Sequence, residues 1–315
     1  MVKEWGGIFP AVMVPLNEDY SVNEEEFKNY LDWLLTYKDK GIAGFVTNGH
    51  TGEIYGWTPE ERAYITKLAA DHVKGRVKVV SGIHAEGTFE AIEHARAAQE
   101  AGADAIMLMP PHIWLRFGTK KEAVLKYFQD VAAAIDIKVI IHLYPVSTKA
   151  FYPVDLLLEM VKIPNVVAIK CGHRDMPIYE EAIRILKKEA PEIALLTCHD
   201  ENVLSTMIQG IDGALLGFSG CVPELITGLW NAVKEKDLAK ALEVNEKLAP
   251  AAAAIYGVGQ PSGEAHARMK EFLCRRKVFS SPLMRLPVLP LDEDEKDRVA
   301  KALELSGVEL VNLVE

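Results

Sequence analysis

Cysteine is scarce: 315 residues carry four, Cys171, Cys198, Cys221 and Cys274. None pairs with another as CxxC, and their spacing fits no structural zinc site. They read as reduced thiols, which leads to the expectation of a cytoplasmic protein. Long apolar runs are missing too. None approaches the roughly 20 residues of a membrane span, and the opening residues, Met1 to Gly7, hold no apolar signal-peptide core. Positive charge is in deficit, with 35 Lys and Arg against 45 Asp and Glu and a net charge of −10. That balance argues against a nucleic-acid partner and against an anionic membrane surface. Low-complexity segments and long linkers are absent. The first apolar strand is not followed by a Gly-rich dinucleotide fingerprint.

What the chain does have is alternation. Apolar strand-like runs are expected at 7–16, 42–47, 77–81, 105–109, 139–144, 165–170, 193–197 and 213–217. Helical patterns separate them. One starts at Ser21 or Asn23, another at Thr58-Pro59 with Glu61 completing a capping box, and Thr88 is expected to cap a third through Glu100. Further helices are expected at 120–134, 154–161, 177–189 and 201–209. Eight strands alternating with helices predict an α/β fold, a closed (β/α)8 TIM barrel. A doubly wound open sheet is the runner-up. Beyond residue 222 the strand pattern stops, and 223–235, 237–258, 262–277 and 292–306 read as helices. The expected division is therefore a barrel over 1–222 and a helical C-terminal extension over 223–315, packed on the barrel.

Active sites of such barrels gather at the C-terminal ends of the strands. The sixth apolar run, Asn165-Val-Val-Ala-Ile-Lys170, ends in a lysine. A buried amine tends to lose its proton and become a nucleophile, which is what imine formation with a ketone needs. The other reading of this stretch is a lysine that reaches out to pair with an acid.

Three features together resemble the dihydrodipicolinate synthase and N-acetylneuraminate lyase superfamily of Schiff-base lyases, along nearly the whole chain. They are the turn Gly49-His-Thr-Gly-Glu53 after the second strand, Tyr144 closing the fifth, and Lys170 closing the sixth, 26 positions after Tyr144. The segment Pro282-Leu-Met-Arg-Leu-Pro-Val-Leu-Pro-Leu291 is also typical. The resemblance implies that Lys170 attacks the ketone of a 2-oxo acid and that Tyr144 shuttles protons. It implies that the backbone amides of His50 and Thr51 hold the substrate carboxylate. No cofactor is implied beyond the covalent imine on Lys170, and a homo-oligomer, a tetramer, is expected.

Three positions depart from the synthase pattern. His50 replaces the first of two threonines, His112 stands where a tyrosine reaches into the neighbouring subunit, and Lys149 is nearest to the usual arginine. These departures argue against dihydrodipicolinate synthase itself. His199-Asp200-Glu201 resembles the acidic pair with which the sialate lyase branch holds sugar hydroxyls, although Asp200 could instead cap the next helix. Cys171 and Cys198 read as small pocket fillers, with Cys198 and Gly217 at strand ends facing the substrate. Five of the nine histidines (His50, His84, His112, His173 and His199) follow strands, and His142 lies within one. No pair is spaced i, i+4, so no metal is expected. The expected activity is a class I lyase on a small 2-oxo acid, sugar-derived, by aldol cleavage or dehydration. Alternatives are a hydratase-aldolase on an aromatic pyruvate adduct, suggested by Pro110, Pro111, Ile113 and Trp114, the synthase itself, and a non-catalytic keto-acid-binding protein.

Overall fold

The computed structural model describes residues 3–257 and 263–314. Eight parallel strands run in chain order: β1 Gly7–Pro10, β2 Gly44–Thr47, β3 Lys78–Ile83, β4 Ala105–Leu108, β5 Lys138–His142, β6 Val166–Cys171, β7 Ala194–Thr197 and β8 Gly213–Leu216. Each pairs with its sequence neighbour from β2 to β8, and β8 pairs with β1. Parallel bridges Ile8–Ile42 and Ala11–Val46 close the ring between β1 and β2. The fold is the expected (β/α)8 barrel, not an open sheet.

Period-two alternation sorts each strand between two cores. On β4, Ala105 and Met107 face the barrel interior, while Ile106 and Leu108 pack against the helical shell. On β6, Ala168 faces inward and Ile169 outward. Lys170 therefore continues the inward row. The same parity on β5 turns Ile140, His142 and Tyr144 inward, and on β7 it carries Leu196 on to Cys198. This rule brings most of the site together.

Several boundaries differ from expectation. The first strand ends at Pro10 rather than reaching Leu16, because Pro10 and Pro15 lack the N–H a continuing ladder needs. Tyr144 lies two residues beyond β5. Asn23 caps the helix Glu24–Leu35, its side chain accepting from Glu26 N–H at 3.1 Å. The capping box of Thr58 and Glu61 is present. Thr88 is not a cap: it is the first helical residue, and Gly87 precedes it without a side-chain bond. A short helix, His112–Phe117, occupies what reads as a loop, and the 201–209 helix begins as a 3-10 turn at Asp200–Asn202.

After β8 come helices Pro223–Glu235, Leu238–Tyr256, Ala265–Arg275 and Glu293–Ser306. The predicted ends at 258 and 262 lie outside the described residues. Buried polar contacts tie these helices to the barrel. Lys270 donates to Glu53 at 2.6 Å and to the Leu283 carbonyl at 2.7 Å. Arg276 donates to the Cys221 carbonyl and pairs with Glu224.

Candidate active site

A chamber of about 300 Å³ opens at the C-terminal mouth of the barrel. Its lining includes His50, Thr51, Tyr144, Lys170, Cys198, Asp200 and Gly217. Seven of the nine proposed site residues thus meet in one cavity. A more open groove of about 640 Å³ under the 287–292 segment shares His50, Gly263 and His266 with it.

Lys170 reaches the chamber from β6. Its Nζ has no hydrogen bond or ion pair among the described residues. Burial pushes its pKa below that of an ordinary lysine, a fall that Cys198 and Asp200 partly oppose and Arg174 reinforces. The result is an amine with a larger neutral, nucleophilic fraction. Tyr144 stands on the neighbouring strand end, with its hydroxyl 3.0 Å from Nε2 of His50. Burial raises the Tyr144 pKa, so the phenol stays protonated. Burial, then the Lys170 charge, holds His50 well below the usual histidine range. A neutral His50 ring can accept the Tyr144 proton, or donate to its oxygen, according to tautomer.

The turn after β2 presents backbone. Among the described residues the N–H groups of His50 and Thr51 donate no hydrogen bond. Glu53 holds the turn: it takes the left-handed conformation at φ +60°, and its carboxylate accepts from Lys270 and from the Arg285 N–H. Gly217 abuts this turn in the chamber wall. A Cβ there would stand 2.7 Å from Oγ1 of Thr51 and 2.9 Å from the Tyr256 hydroxyl. Only glycine leaves both hydroxyls in place.

The β7 end behaves differently from expectation. Asp200 lines the chamber, but its two oxygens accept from Phe218 N–H at 2.8 Å and Gly217 N–H at 3.4 Å, so it fastens the β8 end. It does not cap its own helix. Glu201 sits behind the wall, paired with Arg174. Arg174 also donates to the Cys198 carbonyl at 3.1 Å and itself lines the chamber. His112 sits on the rim, its ring centroid 6.4 Å from that of His50. Cys171 faces the outer core, so of the two predicted pocket fillers only Cys198 lines the cavity.

His142, Arg174, Tyr256 and His266 are chamber residues that sequence reasoning missed. Strand parity would have found His142, two residues before Tyr144; Arg174 lies beyond the end of β6 with φ +58°, where alternation no longer holds. Nothing in the sequence brings Tyr256 and His266 to the mouth. His173 and His199 are framework: each meets the Tyr179 ring in an edge-to-face contact, and burial lowers their pKa values to about 4 and about 3.

Residues 4–306 match the family model described as the dihydrodipicolinate synthetase family. The chain is 29% identical to 4-hydroxy-tetrahydrodipicolinate synthase of Bartonella bacilliformis over 96% of its length and 98% of the relative's. It is 25% identical to an uncharacterized DapA-like lyase of Thermofilum pendens, covering 98% and 100%. Among solved structures, YagE of E. coli K12 in complex with pyruvate superposes with a TM-score of 0.87 at 25% identity, covering 95% and 98%.

Proposed function

The chain belongs to the dihydrodipicolinate synthetase family, a family of class I Schiff-base lyases, and on that premise we propose that it cleaves or dehydrates a sugar-derived 2-oxo acid through an imine on Lys170. The observation that carries this reading is the amine of Lys170, enclosed beside Tyr144 and without a polar partner among the described residues. Its lone pair attacks the ketone carbon. Two proton transfers convert the ketone oxygen to water, which leaves as the C=N bond forms. Tyr144, steadied by His50, is the group placed to move those protons. The substrate carboxylate rests on the N–H groups of His50 and Thr51. The protonated imine then accepts the electron pair released when a neighbouring bond breaks. Imine chemistry of this kind needs no metal.

Besides Lys170, Tyr144 and the turn at His50 and Thr51, the polar groups that line the chamber are His142, Arg174, Asp200, Tyr256 and His266, with Arg174 and Asp200 already held by protein partners. They favour hydroxyls or a second carboxylate over an aromatic tail. The apolar residues that suggested a hydratase-aldolase point elsewhere: Trp114 packs on Tyr127 with ring centroids 5.5 Å apart, and Ile113 is exposed. His50 and His112, replacing residues of the synthase, set this chain apart from dihydrodipicolinate synthase. Ile113 and Phe117, both exposed on the short helix, are candidate contacts for a homotetramer.

Borohydride trapping tests the proposal. Reduction in the presence of pyruvate adds mass to one peptide, that containing Lys170, and Lys170→Ala abolishes it. Absence of an adduct with every 2-oxo acid tried overturns the reading. A screen of sugar-derived keto acids with detection of released pyruvate separates aldol cleavage from dehydration.

A further inference from the structure

Three side chains converge on the rim beside the chamber. His84 follows β3, Glu86 lies two residues on, and His112 opens the short helix after β4. One ring nitrogen of each histidine and one carboxylate oxygen all lie within 4.8 Å of one another. Nε2 of His84 is buried, makes no hydrogen bond, and stands 3.5 Å from Oε1 of Glu86. Two ligands each about 2.1 Å from a shared ion, at a tetrahedral angle, lie about 3.4 Å apart. The separation fits the edge of a metal polyhedron. The rings of His84 and His112 are 3.9 Å apart between centroids, tilted by 33°. Glu86 is fixed in turn: its oxygens accept from the backbone N–H groups of His112 and Ile113, each at 3.1 Å. That bond pair ties the His112 loop to the end of β3 and fixes the carboxylate beside the two rings.

We propose that His84, Glu86 and His112 bind a divalent transition metal, with zinc the best match. Two imidazoles and one carboxylate form a borderline donor set, unsuited to magnesium or calcium, which take oxygen ligands. Three protein ligands leave a coordination position open. The His112 ring lies 6.4 Å from that of His50, a wall residue of the chamber, so the proposed site neighbours the space in which the substrate is held. Metal binding itself does not depend on the chemistry of Lys170.

The test uses the full chain without an affinity tag, stripped with EDTA and titrated with zinc by calorimetry. Cobalt is added separately and its visible absorption followed. The expected result is one equivalent of zinc per chain and a cobalt spectrum of low coordination number. His84→Gln and His112→Gln each reduce binding to background, while His72→Ala, at a distant histidine–aspartate pair, leaves it intact. Circular dichroism confirms that each variant is folded, and a variant that is not folded is replaced by Glu86→Gln. Sub-stoichiometric zinc in the wild-type chain, or equal binding by the folded variants, overturns the proposal. Pyruvate trapping on the stripped enzyme separates the two readings: an adduct without zinc binding removes the metal site alone, and zinc binding without an adduct removes the Lys170 chemistry alone.

Discussion

Two lysines are enclosed by this fold, and their surroundings are opposite. Lys270, on the Ala265–Arg275 helix, is fully buried and answered: Glu53 accepts one bond and the Leu283 carbonyl another. Lys170, in the barrel mouth, faces a cavity and has neither an acid nor a carbonyl in bonding reach among the described residues. Burial lowers both amines; at Lys270 the bonded Glu53 works against that fall, and at Lys170 only the charges of Cys198 and Asp200 do, without a bond. One lysine fastens the C-terminal helices to the β2 turn. The other is left uncompensated, as a reactive amine must be. An unpaired buried amine costs stability, and such costs collect at functional sites.

The comparison can be broken at several points, the most damaging first. If the open setting of Lys170 serves proton transfer with Tyr144, then Tyr144→Phe lowers kcat by about 10²–10⁴, the usual weight of one positioned proton-transfer group. Steady-state kinetics on the best substrate reads it, and a change below threefold would detach Tyr144 from the chemistry. Next is Lys270→Met. It leaves Glu53 buried without its cation, holding only the Arg285 N–H, a loss of about 3–5 kcal/mol, or roughly 5–8 °C in Tm for a chain of this length. Calorimetry showing no loss would mean that the pair fastens nothing.

Glu201→Gln removes the charge partner of Arg174. Arg174 then loses the group that positions it in the chamber wall, and kcat/KM falls for a substrate with distal polar groups, by at most about 10- to 150-fold, the worth of one charge-assisted contact. Trapping of bare pyruvate, which has no such groups, stays unchanged. Equal damage to both would place Glu201 in the imine step instead.

The smallest effect is Lys170→Met, which raises Tm at pH 7 by about 1–3 °C by removing an unpaired amine. The sign follows from linkage. The folded pKa of Lys170 lies below the unfolded value of about 10.4, so folding releases protons and the wild-type chain gains stability as pH rises between the two. The advantage of the variant is therefore full below the folded pKa and vanishes above about pH 10.4. A Tm difference that grew with pH would contradict a lowered amine.

Legibility differed by element for physical reasons. Lys170 was readable because it ends a local apolar run, and Tyr144 because its spacing to Lys170 matches a family pattern. The capping box at Thr58 was readable because it too is local. Glu201 was placed at the right strand end, yet its partner was missed. Arg174 lies on another strand's loop, and no spacing rule joins 174 to 201. The i, i+4 histidine rule covers one helix only and does not bear on a cluster drawn from separate loops. His84, Glu86 and His112 come from two different loops and meet only after β3 and β4 pair.

By itself, the sequence determined the βα rhythm, the barrel and the strand carrying the lysine, because hydrophobic periodicity and capping act over a few residues. Tertiary structure decided which polar groups are answered. It set Glu53 against Lys270 across 217 positions and left Lys170 unmatched. It brought the His50 ring to the Tyr144 hydroxyl and turned Asp200 toward the amides of Gly217 and Phe218. Hydrogen bonds and pKa shifts depend on distance and burial in space, and closure of the barrel fixes both.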